Sequence, residues 1–182
     1  MQDQELEKYW SRVTKGKNVD AKAIHPSSVV TAPWVRMKCQ FGCVGYGKGY
    51  CCPPNTPGHA ETRGILDSYH RAILFHFEAA KKPRQNRTKL FNEFRDSLVG
   101  LEGEMFKEGF YKAFVLLAGP CDLCKECAIL EGSPCNHRSK ARPSLEACGI
   151  DVYQSARNNG FFIKTLSDKS ETQNTYCLLL VD

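Results

Sequence analysis

The sequence predicts a single compact α/β (α+β) domain with a central mixed sheet, flanking helices and two cysteine-rich cluster-binding loops. Three observations predict it. Two continuous apolar runs, at 72–77 and 113–118, have the character of strands covered on both faces. Between them, residues 89–108 carry apolar side chains at the helical period. Most of the ten cysteines fall in two short groups, 39–52 and 121–135. A length of 182 residues, 42% hydrophobic and 25% charged, suits one globular domain with a real core.

Taken in order, Leu6, Tyr9, Trp10 and Val13 share one face of a predicted amphipathic helix over 3–15, stopped by Gly16. Residues 17–28 are polar, with His25-Pro26 and two serines, and read as a loop. Strand character over 29–37 is broken by Pro33, which suits an edge or entry strand. A helix is expected over 59–69 with Ile65, Leu66 and Tyr69 inward. The run 72–77 follows, and His76 within it is expected to be a packed, hydrogen-bonded core group rather than a ligand. Residues 81–88, with Pro83, read as a basic surface loop.

In the helix over 89–108, Phe91, Phe94, Leu98, Leu101 and Met105 recur at alternating steps of three and four and form a core stripe, with Gly109 as the stop. The run 113–118 then leads through Gly119-Pro120 into Cys121. Strand, long helix and strand predict a right-handed crossover with parallel strands. The cysteine loop then leaves the carboxyl end of a central strand, where α/β layers commonly carry sites. Ser144, after Pro143, is expected to cap a helix reaching about Asn158, with Gly160 as its stop. Cys148 faces inward with Leu145 and Val152, as a core thiol or a spare ligand. Segments 161–166 and 176–181 are expected to close the chain as a hairpin around a polar loop, with Cys177 structural.

Chemistry concentrates in the cysteines. Cys121, Cys124 and Cys127 are spaced by two residues and Cys135 follows. Three thiolates at such gaps wrap one small inorganic object, and a fourth completes its ligation. This run fits a [4Fe–4S] cube better than zinc, whose tetrahedral sites typically use two separated pairs. The second group is Cys39, Cys43, Cys51 and Cys52, followed by Pro53-Pro54. Glycines at 42, 45, 47 and 49 let the backbone turn tightly there. A radical-enzyme cluster loop of the C-x3-C-x2-C type is excluded, because residue 46 is Tyr. Spacing leaves open whether Cys51, Cys52 or both are ligands, whether Cys148 replaces one of them, and whether Cys135 serves the other cluster.

The net charge is +5, from 25 basic and 20 acidic side chains. Bound thiolates around two clusters would bring it close to neutrality, so Arg36, Lys38, Lys48, Lys125, Arg138, Lys140 and Arg142 read as compensation for anionic clusters. Arg138 and Arg142 are candidates to face a cluster or an anionic substrate, or are simply solvated. No basic stripe interleaved with exposed aromatics is present, which argues against nucleic acid. No stretch approaches the roughly 20 apolar residues of a membrane span. The polar, acidic start (Gln2, Asp3, Glu5, Glu7) is unlike a signal peptide. A cytoplasmic protein is expected, and in a reducing compartment cysteines serve as ligands or catalytic thiols rather than disulfides.

Cys39 and Cys43 with Gly45-Tyr46-Gly47, Cys52-Pro53-Pro54, the run Cys121, Cys124, Cys127, Cys135, then 141–147 and 149–152 in that order, resemble a family of cysteine-rich predicted metal-binding proteins found mostly in anaerobic bacteria and archaea. The resemblance covers nearly the whole chain from about residue 30. It implies metal or iron–sulfur binding by Cys39, Cys43, Cys52, Cys121, Cys124, Cys127 and Cys135, and implies no particular activity. The leading expectation is an electron-transfer protein with two [4Fe–4S] clusters and a redox partner protein. The alternatives are a cluster-dependent enzyme with an open iron site, motivated by only three firm ligands in the first group, and a zinc module shaping a protein-binding surface.

Overall fold

Side chains alternate across a strand, so a strand that is apolar at every position must be covered on both faces. The computed structural model, which describes residues 2–15, 18–79, 84–168 and 171–182, is built around two strands that follow this rule over 72–75 and 176–180. β2 (Ala72–Ala79) and β4 (Gln173–Leu180) lie side by side at the centre. β1 (Val19–Ile24) flanks β2, and β3 (Phe114–Leu116) flanks β4. On one face Ile73, Phe75, Phe77, Val115, Cys177 and Leu179 form a cluster. On the other lie Ala72, Leu74, Leu116, Tyr176, Leu178 and Leu180.

Helices cover both faces. α1 (Gln2–Thr14) brings Leu6, Tyr9 and Val13 to the first, and α4 (Arg84–Lys107) brings Phe94, Leu98, Leu101 and Met105, as their periodicity predicts. α3 (His59–Asp67) and α5 (Val152–Asn158) supply Leu66 and Ala156 to the second. Leu66 points inward as expected, whereas Ile65, one residue away, is 42% exposed. His76 is packed as expected: its ring stacks on Tyr176 at 4.9 Å and bonds Asn174 Oδ1 at 2.7 Å.

Several expectations are corrected. All neighbouring strands are antiparallel, so the sheet is not mixed. β2 and β3 do run in the same direction, but β4 sits between them, and the strand–helix–strand unit is split rather than directly paired. The reason lies in β4 itself. Residues 176–181 are all buried, and the backbone groups of 178–180 find partners on both sides, in β2 and β3, only in an interior position.

The expected loop 17–28 contains β1, in which Val19, Ala21 and Ala23 alternate with Asp20 and Lys22, the signature of a half-covered edge strand. The expected strand 29–37 is mostly α2 (Pro33–Gly42), with Pro33 in the first turn, where its missing N–H costs nothing. The single expected helix 144–158 is a short 3₁₀ turn at Glu146–Cys148, then Gly149 with φ 75°, then α5 capped by Asp151. Ser144 does cap, but only that turn: its Oγ accepts from Ala147 N at 3.1 Å. No hairpin forms between 161–166 and 176–181; the first segment is irregular and β4 pairs with β2 and β3 instead. The expected loop 81–88 already belongs to α4 from Arg84 onward, while residues 80–83 and the expected stop at Gly16 lie outside the described residues.

Gly149 is the tightest packing point beside the site. A Cβ there would stand 2.9 Å from His59 Cβ and 3.0 Å from His59 Cα, at a backbone conformation that favours glycine. Gly149→Ala is expected to lower unfolding stability by about 2–4 kcal/mol in urea denaturation. Gly64→Ala, in α3 with nothing within 4 Å of the new methyl, is expected to be neutral or slightly stabilising.

Candidate metal centre

The first cysteine group grows out of the end of α2. Cys39 lies in its last turn and Cys43 terminates it, with Cys43 N donating to Cys39 O at 3.2 Å. The three-residue gap is therefore one helical turn, which places both thiols on one side. The chain then turns repeatedly: Tyr46 N bonds Cys43 O, Lys48 N bonds Gly45 O, and Cys52 N bonds Gly49 O. Gly47 N to Pro53 O at 2.7 Å closes the loop and returns Cys52 to Cys43. Side chains at Gly45 and Gly49 would fill the space in front of these sulfurs. A Cβ at 45 would lie 3.6 Å from Cys43 Sγ and 3.9 Å from Cys52 Sγ, and one at 49 would lie 3.6 Å from Cys52 Sγ.

The second group follows β3. That strand ends after three residues because Leu117 leaves β4 to pair with residues 143–145, donating to Pro143 O and accepting from Leu145 N at 2.9 Å each. The loop that begins at Gly119 is fastened from α4, where Arg95 bonds Asp122 Oδ1 at 2.8 Å and Pro120 O at 3.4 Å. Tyr50 Oη donates to Ser133 O at 2.9 Å and ties the two cysteine loops together. Glu102, seven residues after Arg95 on α4, accepts from Val115 N at 2.7 Å and from Arg142 Nε at 2.9 Å. Arg142 is thus an internal clamp. It is not simply solvated, which corrects that reading, and it also lies within electrostatic reach of Cys51.

The structure also distinguishes the adjacent pair Cys51 and Cys52. Interaction with the neighbouring Cys51 thiol holds the Cys121 thiol below its ordinary range, helped by the Leu123 N–H and Arg95. Cys51 is pushed up by the same interaction, by burial and by the charges of Cys121 and Cys135. Cys52 is raised by burial first, then by Cys43 and Cys39. The surroundings of the two neighbours overlap but are weighted differently: Cys51 interacts first with Cys121 and then with Cys135 and Cys52, whereas Cys52 interacts with Cys43 and Cys39 before Cys121 and Cys127. Cys124 is raised by weak desolvation and by Cys121, Cys127 and Cys135. Cys127 lies within electrostatic reach of both Cys124 and Cys52. Among the described residues, no three His, Cys, Asp or Glu side chains converge on a point that would hold a single ion. Cys148 and Cys177 stay apart in the two apolar clusters, with burial pushing Cys148 up to about 12 and Cys177 higher still.

A family model described as predicted metal-binding protein (DUF2284) matches residues 22–181. The chain belongs to that family. Metal binding is therefore the family's predicted property. Neither the comparison with curated proteins nor that with solved structures returned a match. Among the described residues, no helix is long and apolar enough to cross a membrane.

Sequence reasoning missed Arg95, Glu102, Tyr50 and Glu146. A signal existed for the first two: both are charged yet fall beside Phe94, Leu98 and Leu101 on the buried stripe of α4, and both are only 8% exposed. Glu146 follows Leu145 in the turn behind α2; burial raises its carboxyl above the usual range, and its Oε2 has no hydrogen-bond partner. The thiol environments predict a reactivity order. In metal-free protein treated briefly with iodoacetamide at pH 7, Cys121 is expected to be alkylated early, because more of it is thiolate, and Cys148 and Cys177 last. Peptide mapping by mass spectrometry checks the order.

Proposed function

We propose that this chain is an iron–sulfur protein that holds two [4Fe–4S] clusters and passes single electrons to a redox partner protein. The observation that carries the reading is eight free thiols in two loops that Tyr50 joins through the Ser133 carbonyl, with the Cys43 and Cys52 sulfurs both beside Gly45, which allows two sets of four. Cys51, Cys121, Cys124 and Cys135 make one set. Cys39, Cys43 and Cys52 make the other, with Cys127 crossing over as its fourth member. Such sharing of a cysteine run between two sites is a known arrangement in two-cluster proteins. The donor set is all thiol, the usual ligand set of an iron–sulfur cluster. A tetrahedral zinc needs its sulfurs gathered at about 2.3 Å, so a single-ion cage demands closer convergence.

A bound cluster supplies one-electron storage at a potential set by burial and hydrogen bonds to sulfur. The chain's own part is to position and shield. Arg95 and Tyr50 hold the second loop, His137 N donates to Cys135 Sγ at 3.4 Å, and Glu102 neutralises Arg142.

Protein purified without oxygen is expected to carry roughly eight iron and eight acid-labile sulfide per chain and to be reduced reversibly by dithionite. Cys51→Ala and Cys52→Ala are each expected to remove roughly half of the iron, and together nearly all of it. Stoichiometric zinc without sulfide would overturn the reading, as would a pair of variants of which only one loses iron. A redox-silent loaded protein would remove the electron-transfer part alone.

A further inference from the structure

β3 and β4 part company after Leu116, and the parting opens a cavity. β4 is paired with β3 only through Leu178–Leu180, so residues 173–177 keep an edge without a strand beside it. A cavity of about 1260 Å³ lies there, bounded by that edge, by Ala118 and Gly119, and by the α2 residues Lys38, Cys39 and Gly42 with Cys43. It therefore runs up to the thiols of the first cysteine group. Its volume is too large for a packing defect and exceeds the roughly 300–1,000 Å³ of most small-molecule sites, so a small ligand would occupy part of it.

The lining is selective. Trp34, Tyr153 and Leu166 present flat or apolar surface. Lys38 Nζ rests over the Trp34 ring at 5.2 Å, and the Arg157 guanidinium lies 5.9 Å from the Tyr153 ring with one N–H on the Ile163 carbonyl at 3.4 Å. These contacts orient both cations without neutralising them. Glu146 lines the same cavity, and its buried Oε2 accepts no hydrogen bond. A buried oxygen without a donor is costly, and such atoms are usually satisfied by something.

We propose that this cavity binds a small organic carboxylate with a flat apolar body and a hydrogen-bond donor, held beside Cys39 and Cys43. Lys38 and Arg157 receive the carboxylate, the aromatic walls receive the body, and Glu146 Oε2 accepts from the donor. The inference goes beyond the cluster reading and does not depend on which metal the thiols hold.

Calorimetric titration of the anaerobically purified protein tests it, with 2-naphthoate, 6-hydroxy-2-naphthoate and the neutral 2-naphthol as probes. The carboxylates are expected to bind saturably at one site, at least about tenfold tighter than 2-naphthol. Lys38→Gln and Arg157→Gln are each expected to weaken 2-naphthoate several-fold and leave 2-naphthol unchanged. Glu146→Gln is expected to abolish the advantage of the 6-hydroxy compound. Unchanged unfolding midpoints confirm that these variants remain folded. No saturable binding of 2-naphthoate, 2-naphthol binding as tightly as the acid, or both cation variants behaving as the parent protein would each overturn the proposal. Iron and sulfide content is measured on the same samples, so failure here is separable from failure of the cluster reading.

Discussion

The apolar stretch 176–180 of β4 needs cover on both faces, and β4 meets that demand by inserting between β2 and β3, which pair both edges of 178–180. The rest of the architecture depends on this insertion. It pushes β3 to the sheet edge, where the strand is short and its chain is free to turn away at Leu117. The turning chain carries Cys121 to Cys135 beyond the sheet, and the same departure leaves the open edge of β4 that borders the cavity. Core topology and candidate site are two results of one packing requirement.

The cysteine loops make little core of their own, so other elements must hold them. Two charged residues on the buried stripe of α4 do this from one side. Arg95 reaches Asp122 and Pro120, and Glu102 joins Val115 N to Arg142. From the other side, α2 is docked on the Glu146–Cys148 turn: Arg36 donates to Ala147 O at 2.6 Å, as does Thr56 Oγ1. Buried ion pairs contribute little net stability against apolar replacements, but removing one partner is costly. Their value here is positional, since they fix loops that lack a hydrophobic face.

Nearly all of the core helices could be read from periodicity, because alternating steps of three and four along α4 and the face Leu6, Tyr9 and Val13 of α1 reflect local geometry alone. β1 was legible too, in the alternation from Val19 to Ile24, but weakly apolar alanines on its covered side masked it. The segment 29–37 misled for a different reason. Pro33 disrupts a strand but opens a helix, and only the docking of α2 against residues 147–151 decides between those roles. Strand order was out of reach of any local pattern, since whether β4 pairs outside β3 or between β2 and β3 depends on competition for two buried edges.

The sequence alone determined the thiol inventory, the two cysteine groups and the structural place of Cys177, because spacing and neighbouring apolar residues are properties of the chain, while only the fold decided that Cys148 is a buried core thiol. Tertiary structure alone gave Cys51 and Cys52 different surroundings, Cys51 closest in interaction to Cys121 and Cys52 to Cys43 and Cys39. Adjacent residues are indistinguishable by spacing. Their side chains diverge only once the turns from Gly45 to Asn55 have set the backbone and the second loop has been clamped beside them by Arg95 and Tyr50.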